Sequence, residues 1–260
     1  MRLDAFSFGG GVQSMACLVL AAQGVIDCRL FLFANVGDDS EHPATLAYVR
    51  DVAIPYAAAN DIELCTVKPS RTLYAEAMRE NRRVPLPIYL SNGAPGNRTC
   101  TSDFKIKVIA REIKSRGATK KAPWVCGLGI STDEAHRANY NSRIAHQLLE
   151  YPLLDLRISR ANCVGIIERA GMPVPPKSAC WFCPFQSNRR WHELRTDRPE
   201  LFQSACDLET RLNKKRDAIG RDVVYLHRSL IPLIDAIQDT GTTQLDLFEQ
   251  DICDSGYCFT

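Results

Sequence analysis

Residues 3–22, LDAFSFGGGVQSMACLVLAA, put three consecutive glycines between an apolar run and a second, longer apolar run with helical character. A strand that ends in a glycine turn and passes directly into a helix commits the chain to a β-turn-α unit rather than to a hairpin. The pattern then repeats. Residues 29–36 read as a second, almost wholly apolar strand, 43–59 as a helix, 62–67 as a strand, and 72–80 and 103–116 as helices. Residues 122–130 form another buried strand, and 159–171 a helix capped by Ser159 and stopped by Gly171. Alternating helices and buried strands predict an α/β fold, a doubly wound parallel sheet. From Ser187 onward the chain is polar and mostly helical, so the expected division is a sheet domain over 1–185 and a helical C-terminal region over 186–260. Residues 84–99, rich in Pro, Gly and Asn, are too long for an ordinary connection and read as a loop over a site.

A chain of 260 residues has room for one full core with an appendage. Its net charge of +2 excludes a polybasic nucleic-acid binder by composition, so any such contact must be a local patch. No apolar run approaches a bilayer-spanning length and no signal-peptide pattern opens the chain, so the expectation is a cytoplasmic protein without a membrane partner. Most of the 11 cysteines, Cys17 and Cys126 among them, sit in apolar stretches and read as small core residues. Cys100, Cys180 and Cys183 do not.

Backbone N–H groups and the positive end of a helix dipole converge after the glycines, a setting that suits phosphate. Ser14 can cap the helix or donate to a phosphate oxygen. The stretch lacks the Lys-Ser/Thr ending of a Walker loop and the spacing of the dinucleotide fingerprint, and by itself a tight strand-to-helix turn explains it equally well. In a doubly wound sheet, however, ligands lie beyond the carboxyl ends of the strands. The glycine turn, ANVGDDSEHP (34–43) and GLGISTDEAHR (127–137) all end strands, and that convergence favours phosphate.

Cys180 and Cys183 stand two residues apart and Pro184 follows. That spacing serves zinc, an iron–sulfur cluster and a redox dithiol alike. Further ligands are available in Cys100 and, in the tail, Cys253 and Cys258. QSNRRWHELR (186–195) mixes Arg189, Arg190 and Arg195 with Trp191, which suits a nucleic-acid backbone or, as readily, the solvated face of an amphipathic helix.

Taken in order, these segments resemble the PP-loop ATP pyrophosphatases of the phosphoadenosine phosphosulfate (PAPS) reductase-like family. GGGVQS is similar to the SGGxDS loop, with Gly9 for Ser and Gln13 for Asp. NVGDDSEHPATLAYV resembles the segment DTGxxFPET, RTCTSDFKIKVI an Arg, Cys and Lys segment, and GISTDEAHR the loop GxRxxESxxR. YPLLDLRISRANCVGII resembles PLxDW…DVxxYI, and PPKSACWFCPF the Cys-x-x-Cys of iron–sulfur members. The likeness spans about residues 3–185 and is closest in type to iron–sulfur sulfurtransferases, the sulfur-activating component of DNA phosphorothioation among them. It implies the adenine nucleotide alpha hydrolase-like fold, with ATP and Mg²⁺ at Ser7, Gly9, Gly10, Gly11, Gln13, Ser14 and Asp38. It implies a [4Fe–4S] cluster on Cys100, Cys180 and Cys183, with Arg98, Cys100, Lys105, Glu134 and Arg137 as catalytic residues. The implied activity is ATP-dependent sulfur transfer to nucleic acid, DNA or tRNA, with sulfur supplied by a cysteine desulfurase or as free sulfide. Ser131 replaces the Arg that would hold a sulfate in the reductases. An adenylyl-sulfate or PAPS reductase remains the first alternative, and a non-catalytic nucleotide-binding regulator with a structural zinc the second.

Overall fold

A computed structural model describes residues 2–80 and 82–238. Among them the strands are β1 (Ala5–Phe8), β2 (Leu30–Ala34), β3 (Glu63–Val67), β4 (Tyr89–Leu90), β5 (Trp124–Leu128), β6 (Gln147–Glu150) and β7 (Val224–Tyr225). The α-helices are α1 (Val12–Ala22), α2 (Pro43–Tyr48), α3 (Ile54–Ala58), α4 (Leu73–Ala77), α5 (Lys107–Ser115), α6 (Pro152–Asp155), α7 (Arg160–Arg169), α8 (Asn188–Asp197), α9 (Pro199–Asp217) and α10 (Leu233–Ala236). They divide into two compact units, Met1–Ser70 with Ser102–Ala179, and Arg71–Thr101 with Cys180–Thr260. The expectation of one cut between 185 and 186 thus meets a discontinuous division, in which residues 71–101 belong with the C-terminal segment.

The first unit is the α/β fold read from the sequence. Its five strands are parallel, in the order β3-β2-β1-β5-β6. Side chains alternate across the sheet because successive residues of a strand point to opposite faces. Phe6, Phe8, Phe31 and Phe33 enter one core with Met15, Leu18 and Val19 of α1 and Cys163, Ile166 and Ile167 of α7. Ala5, Leu30, Leu32, Ala34 and Cys126 enter the other with Val108, Ile109 and Ile113 of α5. Every residue of β2 is buried, which is why its sequence shows no polar alternation.

Two local departures have physical causes. The helix expected over 43–59 is α2 and α3 joined by a π-turn at Val49–Ala53. Pro55 lacks the N–H that would continue the i→i−4 ladder, and the widened turn lies immediately before it. Strand β6 was absent from the sequence reading. It has four residues, only one of them buried, and carries no alternation that periodicity could detect.

In the second unit β4 pairs antiparallel with β7, Tyr89 opposite Tyr225 and Leu90 opposite Val224. Part of the stretch expected to be a loop over 84–99 is therefore strand, joining segments far apart in sequence. The helical character expected after Ser187 is present in α8 and α9. Among the described residues no helix is long and apolar enough to cross a membrane.

Candidate functional site

The sheet order reverses direction at β1, with β2 on one side and β5 on the other. A crevice outside the carboxyl ends of two such strands is the usual ligand position in this architecture. Helix α1 opens there. Gly10 has φ +74°, and a Cβ on it would stand 3.1 Å from Thr45 Cγ2 and 3.3 Å from Phe33 Cε2. Both the turn and the close approach require glycine.

The helix N-cap is Gly11, so Ser14 is the third helical residue and not the cap. Its hydroxyl donates to Gly11 O at 2.9 Å and accepts from Gly11 N at 3.1 Å. Ser14 therefore closes the turn itself. Gln13 Oε1 accepts from Arg160 Nη1 at 3.0 Å. Ser7 lies inside β1, in register with Leu32 and Leu128, two residues ahead of Gly9. The first turn of α1 carries no acid.

The segment after β2 surrounds this turn with polar groups. Asp38 accepts from Asn35 Nδ2 and from Lys68 Nζ, each at 2.7 Å, and those two bonds, Lys68 first, hold its carboxyl below the usual range. Glu41 is completely buried, and neither carboxylate oxygen has a hydrogen-bond partner. Lys105 Nζ stands 3.8 Å from Glu41 Oε1. Thr45 Oγ1 and Ser178 Oγ are likewise buried without a partner. Thr45 abuts Gly10, and Ser178 Cβ would lie 3.8 Å from a Cβ on Gly11. A buried polar atom left unpaired costs about 1–3 kcal/mol, so the two such hydroxyls beside the glycine turn, with Glu41 four residues before one of them, point to a ligand.

The loop after β5 reaches the same turn from the other side. A Cβ on Gly129 would come within 3.3 Å of the Gln13 carbonyl carbon and of Ser14 N. Beyond it, Arg137 Nη1 donates to Glu134 Oε2 at 2.5 Å, both residues being buried. Asp133 Oδ2 accepts from Arg160 N at 2.5 Å, at the start of α7. The structure thus brings Gly9, Gly10, Gly11, Gln13, Ser14, Asp38, Lys105, Glu134 and Arg137 into the first unit.

Sequence reasoning missed Glu41, Thr45, Gly129, Arg160 and Ser178. Glu41 closes the acidic run Asp38-Asp39-Ser40-Glu41, in which nothing but the fold separates an exposed carboxylate from a buried one.

The second unit holds Arg98, Cys100, Cys180 and Cys183, and all three cysteines are half-buried and outside any disulfide. Cys183 N donates to Cys180 O at 3.1 Å and Gln186 N to Cys183 O at 3.2 Å, while Gln186 Nε2 donates to Trp181 O at 2.8 Å. Consecutive turns thereby fix the Cys-x-x-Cys backbone. Trp181 and Phe182 are buried and meet Tyr74 at ring-centre distances of 5.5 and 5.7 Å. The segment with Cys100 is anchored by Cys100 N donating to Pro85 O at 3.0 Å. Arg98 of that segment donates to Thr101 Oγ1 at 3.2 Å and lies over the Phe185 ring, 5.6 Å from its centre.

Among the described residues no group of three or more His, Cys, Asp or Glu side chains is arranged to hold a metal ion. Ligands of one zinc must all reach it at about 2.3 Å, whereas cluster thiolates each take a separate iron. The donor set, three cysteines outside any disulfide in one unit with two of them on a fixed turn, fits the cluster by its chemistry. Cys253 and Cys258 lie outside the described residues.

Of the two readings of residues 186–195, the amphipathic helix is the one observed. Trp191 is fully buried and Arg195 donates to Ile237 O while lying over Phe202. Arg189 is paired with Glu193 at 2.8 Å. Helix α8 is amphipathic with its aromatic residue in the core, so Trp191 cannot stack on a base.

No family model matches the chain, and no curated protein matches it in sequence. Among solved structures it resembles the U34-tRNA thiolase NcsA from Methanococcus maripaludis with its [4Fe-4S] cluster. The TM-score is 0.45 at 14% identity, over 81% of this chain and 72% of that one. A likeness of that size transfers no activity or substrate.

Proposed function

We propose that the protein is an ATP-dependent sulfurtransferase. What supports this reading is the partition of its candidate residues: a glycine turn flanked by the unpartnered hydroxyls of Thr45 and Ser178 at the sheet reversal in one unit, and three cysteines outside any disulfide in the other. The backbone N–H groups that open α1 bind the phosphates of ATP, and the hydroxyls of Thr45 and Ser178 supply donors beside them. These groups stabilise charge as an acceptor oxygen attacks the α-phosphorus and pyrophosphate leaves. Lys105 is the cation of this unit assigned to the developing negative charge. Sulfide then displaces AMP from the adenylated acceptor, so one acceptor oxygen departs on AMP and sulfur takes its place with no net redox change.

Cys100, Cys180 and Cys183 would hold the [4Fe–4S] cluster. Bound by three thiolates, it supplies an iron with an open position for hydrosulfide. Trp181 and Phe182 limit water near the thiols, and Arg98 brings a fixed positive charge to the Cys100 segment. Glu134 and Arg137, bound to each other, shape the loop after β5 rather than offering a free acid or base. The acceptor proposed is nucleic acid, DNA or tRNA, with a cysteine desulfurase or free sulfide as the sulfur source.

The test is iron and acid-labile sulfide on the full chain purified without oxygen, together with pyrophosphate release from ATP. About four of each per chain are expected, falling below one in Cys180→Ser, with pyrophosphate release that depends on added nucleic acid. Zinc without sulfide would overturn the sulfur half of the reading. A loaded protein that never releases pyrophosphate would overturn the ATP half and favour the reductase.

A further inference from the structure

A phosphate site at a helix N-terminus is complementary to anions, and a carboxylate beside it is out of place unless something cationic comes with the ligand. Glu41 belongs to the connection that reaches this turn at Thr45, and its neighbour His42 donates from N to Ala179 O, one residue past Ser178. Glu41 has no exposure to solvent and no hydrogen bond to either oxygen, although a buried charge is costly unless it is both paired and hydrogen-bonded. Its nearest cation, Lys105, stands at 3.8 Å, outside hydrogen-bond range. Four residues further along, Thr45 carries a second buried, unpartnered oxygen and touches the Gly10 turn. Ser178 contributes a third beside Gly11.

The turn itself has no acid. The first turn of α1 lacks Asp and Glu, and Gln13, at the position where an acid would sit, is occupied by Arg160. Divalent magnesium at a nucleotide is normally held by one or two carboxylates together with the phosphates. We propose that Glu41 is the protein's carboxylate ligand for the divalent cation that accompanies a nucleotide on the Gly9–Gly11 turn. The inference rests on the nucleotide half of the proposed function. It assigns the carboxylate to Glu41, in the connection after β2 that also carries Asp38.

The test uses the full chain and Mn²⁺ as the probe, with free Mn²⁺ followed by electron paramagnetic resonance in the presence of a non-hydrolysable ATP analogue. Wild type is expected to bind one Mn²⁺ per chain, and Glu41→Gln to weaken that binding at least tenfold. Affinity for the analogue in EDTA should change less than twofold. Undiminished Mn²⁺ binding in Glu41→Gln would overturn the proposal.

Thermal melting separates a ligand site from a structural ion pair. Removing the charge of a buried carboxylate that makes no hydrogen bond should leave the ligand-free melting temperature unchanged or higher. A melting temperature lowered as much as by Lys105→Met, with no further loss in the double variant, would make Glu41 a partner of Lys105 and overturn the proposal. Should Glu41→Gln not fold, Glu41→Asp takes its place, with weaker Mn²⁺ binding at equal analogue affinity expected. Wild type that binds Mn²⁺ through Glu41 yet no analogue in EDTA would sustain the cation site and overturn the nucleotide reading instead.

Discussion

The two units are held together by different physics. In the first, five parallel strands carry hydrophobic residues to both faces, and helices α1, α7 and α5 close over them. Each buried Phe or Leu contributes about 1.5–3 kcal/mol, whatever its precise neighbours. The second buries Phe182, Trp191, Phe202, Leu208, Leu226 and Leu233 as well, but among its described residues the only sheet is the two-residue pair β4 and β7, and specific polar bonds connect its distant segments. Glu209, buried on α9, accepts from Leu226 N and Leu233 N at 2.7 Å each. Lys215 donates to the carbonyls of Ala77 and Arg79. His227 lies between Asn188 Oδ1 and Ser229 Oγ, 2.7 Å from each. Non-directional burial tolerates substitution, whereas a fold assembled from single polar bonds concentrates its stability in a few residues.

Glu209→Ala should therefore have the largest effect. It strands two buried backbone N–H groups, for a loss of about 2–4 kcal/mol. Hydrogen exchange on the full chain should quicken over residues 199–237 while β1, β2 and β3 keep their protection. Equal acceleration in β1 would show that the two units unfold as one and would remove the contrast drawn here.

The same contrast explains what the sequence made legible. Strands β1, β2, β3 and β5, helix α1 and the glycine turn follow from local periodicity and from glycine chemistry, and the centre of the sheet was the most readable because β1 and β2 are buried along most of their length. Residues 71–101 were not readable as part of the C-terminal unit, since the bonds that tie them there, Tyr89 to Tyr225 and Lys215 to Arg79 O, join positions more than a hundred residues apart. The site divided in the same way. Gly10 declared itself by composition, but Glu41 and Ser178 became distinctive only once burial had removed their partners. Trp191 allowed two readings because its basic neighbours suit either a nucleic-acid backbone or a solvated helix face, and burial of the indole decides for the helix.

A second prediction sharpens the comparison through pH. Burial, reinforced by the charges of Arg228 and His192, lowers the pKa of His227 from 6.5 to about 4. The unfolded chain takes up this proton first as pH falls, so the stability contributed by neutral His227 is complete above about pH 6.5 and lost towards pH 4. The slope is at most about 1.4 kcal/mol per pH unit. Urea midpoints of the full chain between pH 7 and 4.5 should fall with that slope, and His227→Gln should flatten it. A wild-type slope unchanged by the substitution would mean that other groups govern acid sensitivity and that His227 is no keystone of the second unit.

The smallest effect on stability is expected in the first unit, at Asp38. Its pair with Lys68 joins the ends of β2 and β3, but both side chains are more than half exposed, and such pairs are worth about 0–1 kcal/mol. Asp38→Asn should shift the melting temperature by about a degree or less, and raising the salt should hide even that. Nucleotide affinity is the informative readout, because Asp38 stands at the carboxyl end of β2 beside the segment that carries Glu41 and Thr45. A loss of about tenfold in affinity, roughly 1.4 kcal/mol, with stability unmoved, would make Asp38 part of the binding surface. Unchanged affinity would leave it a solvated pair that trims a strand end, and would narrow the first unit's site to the glycine turn and the buried groups around it.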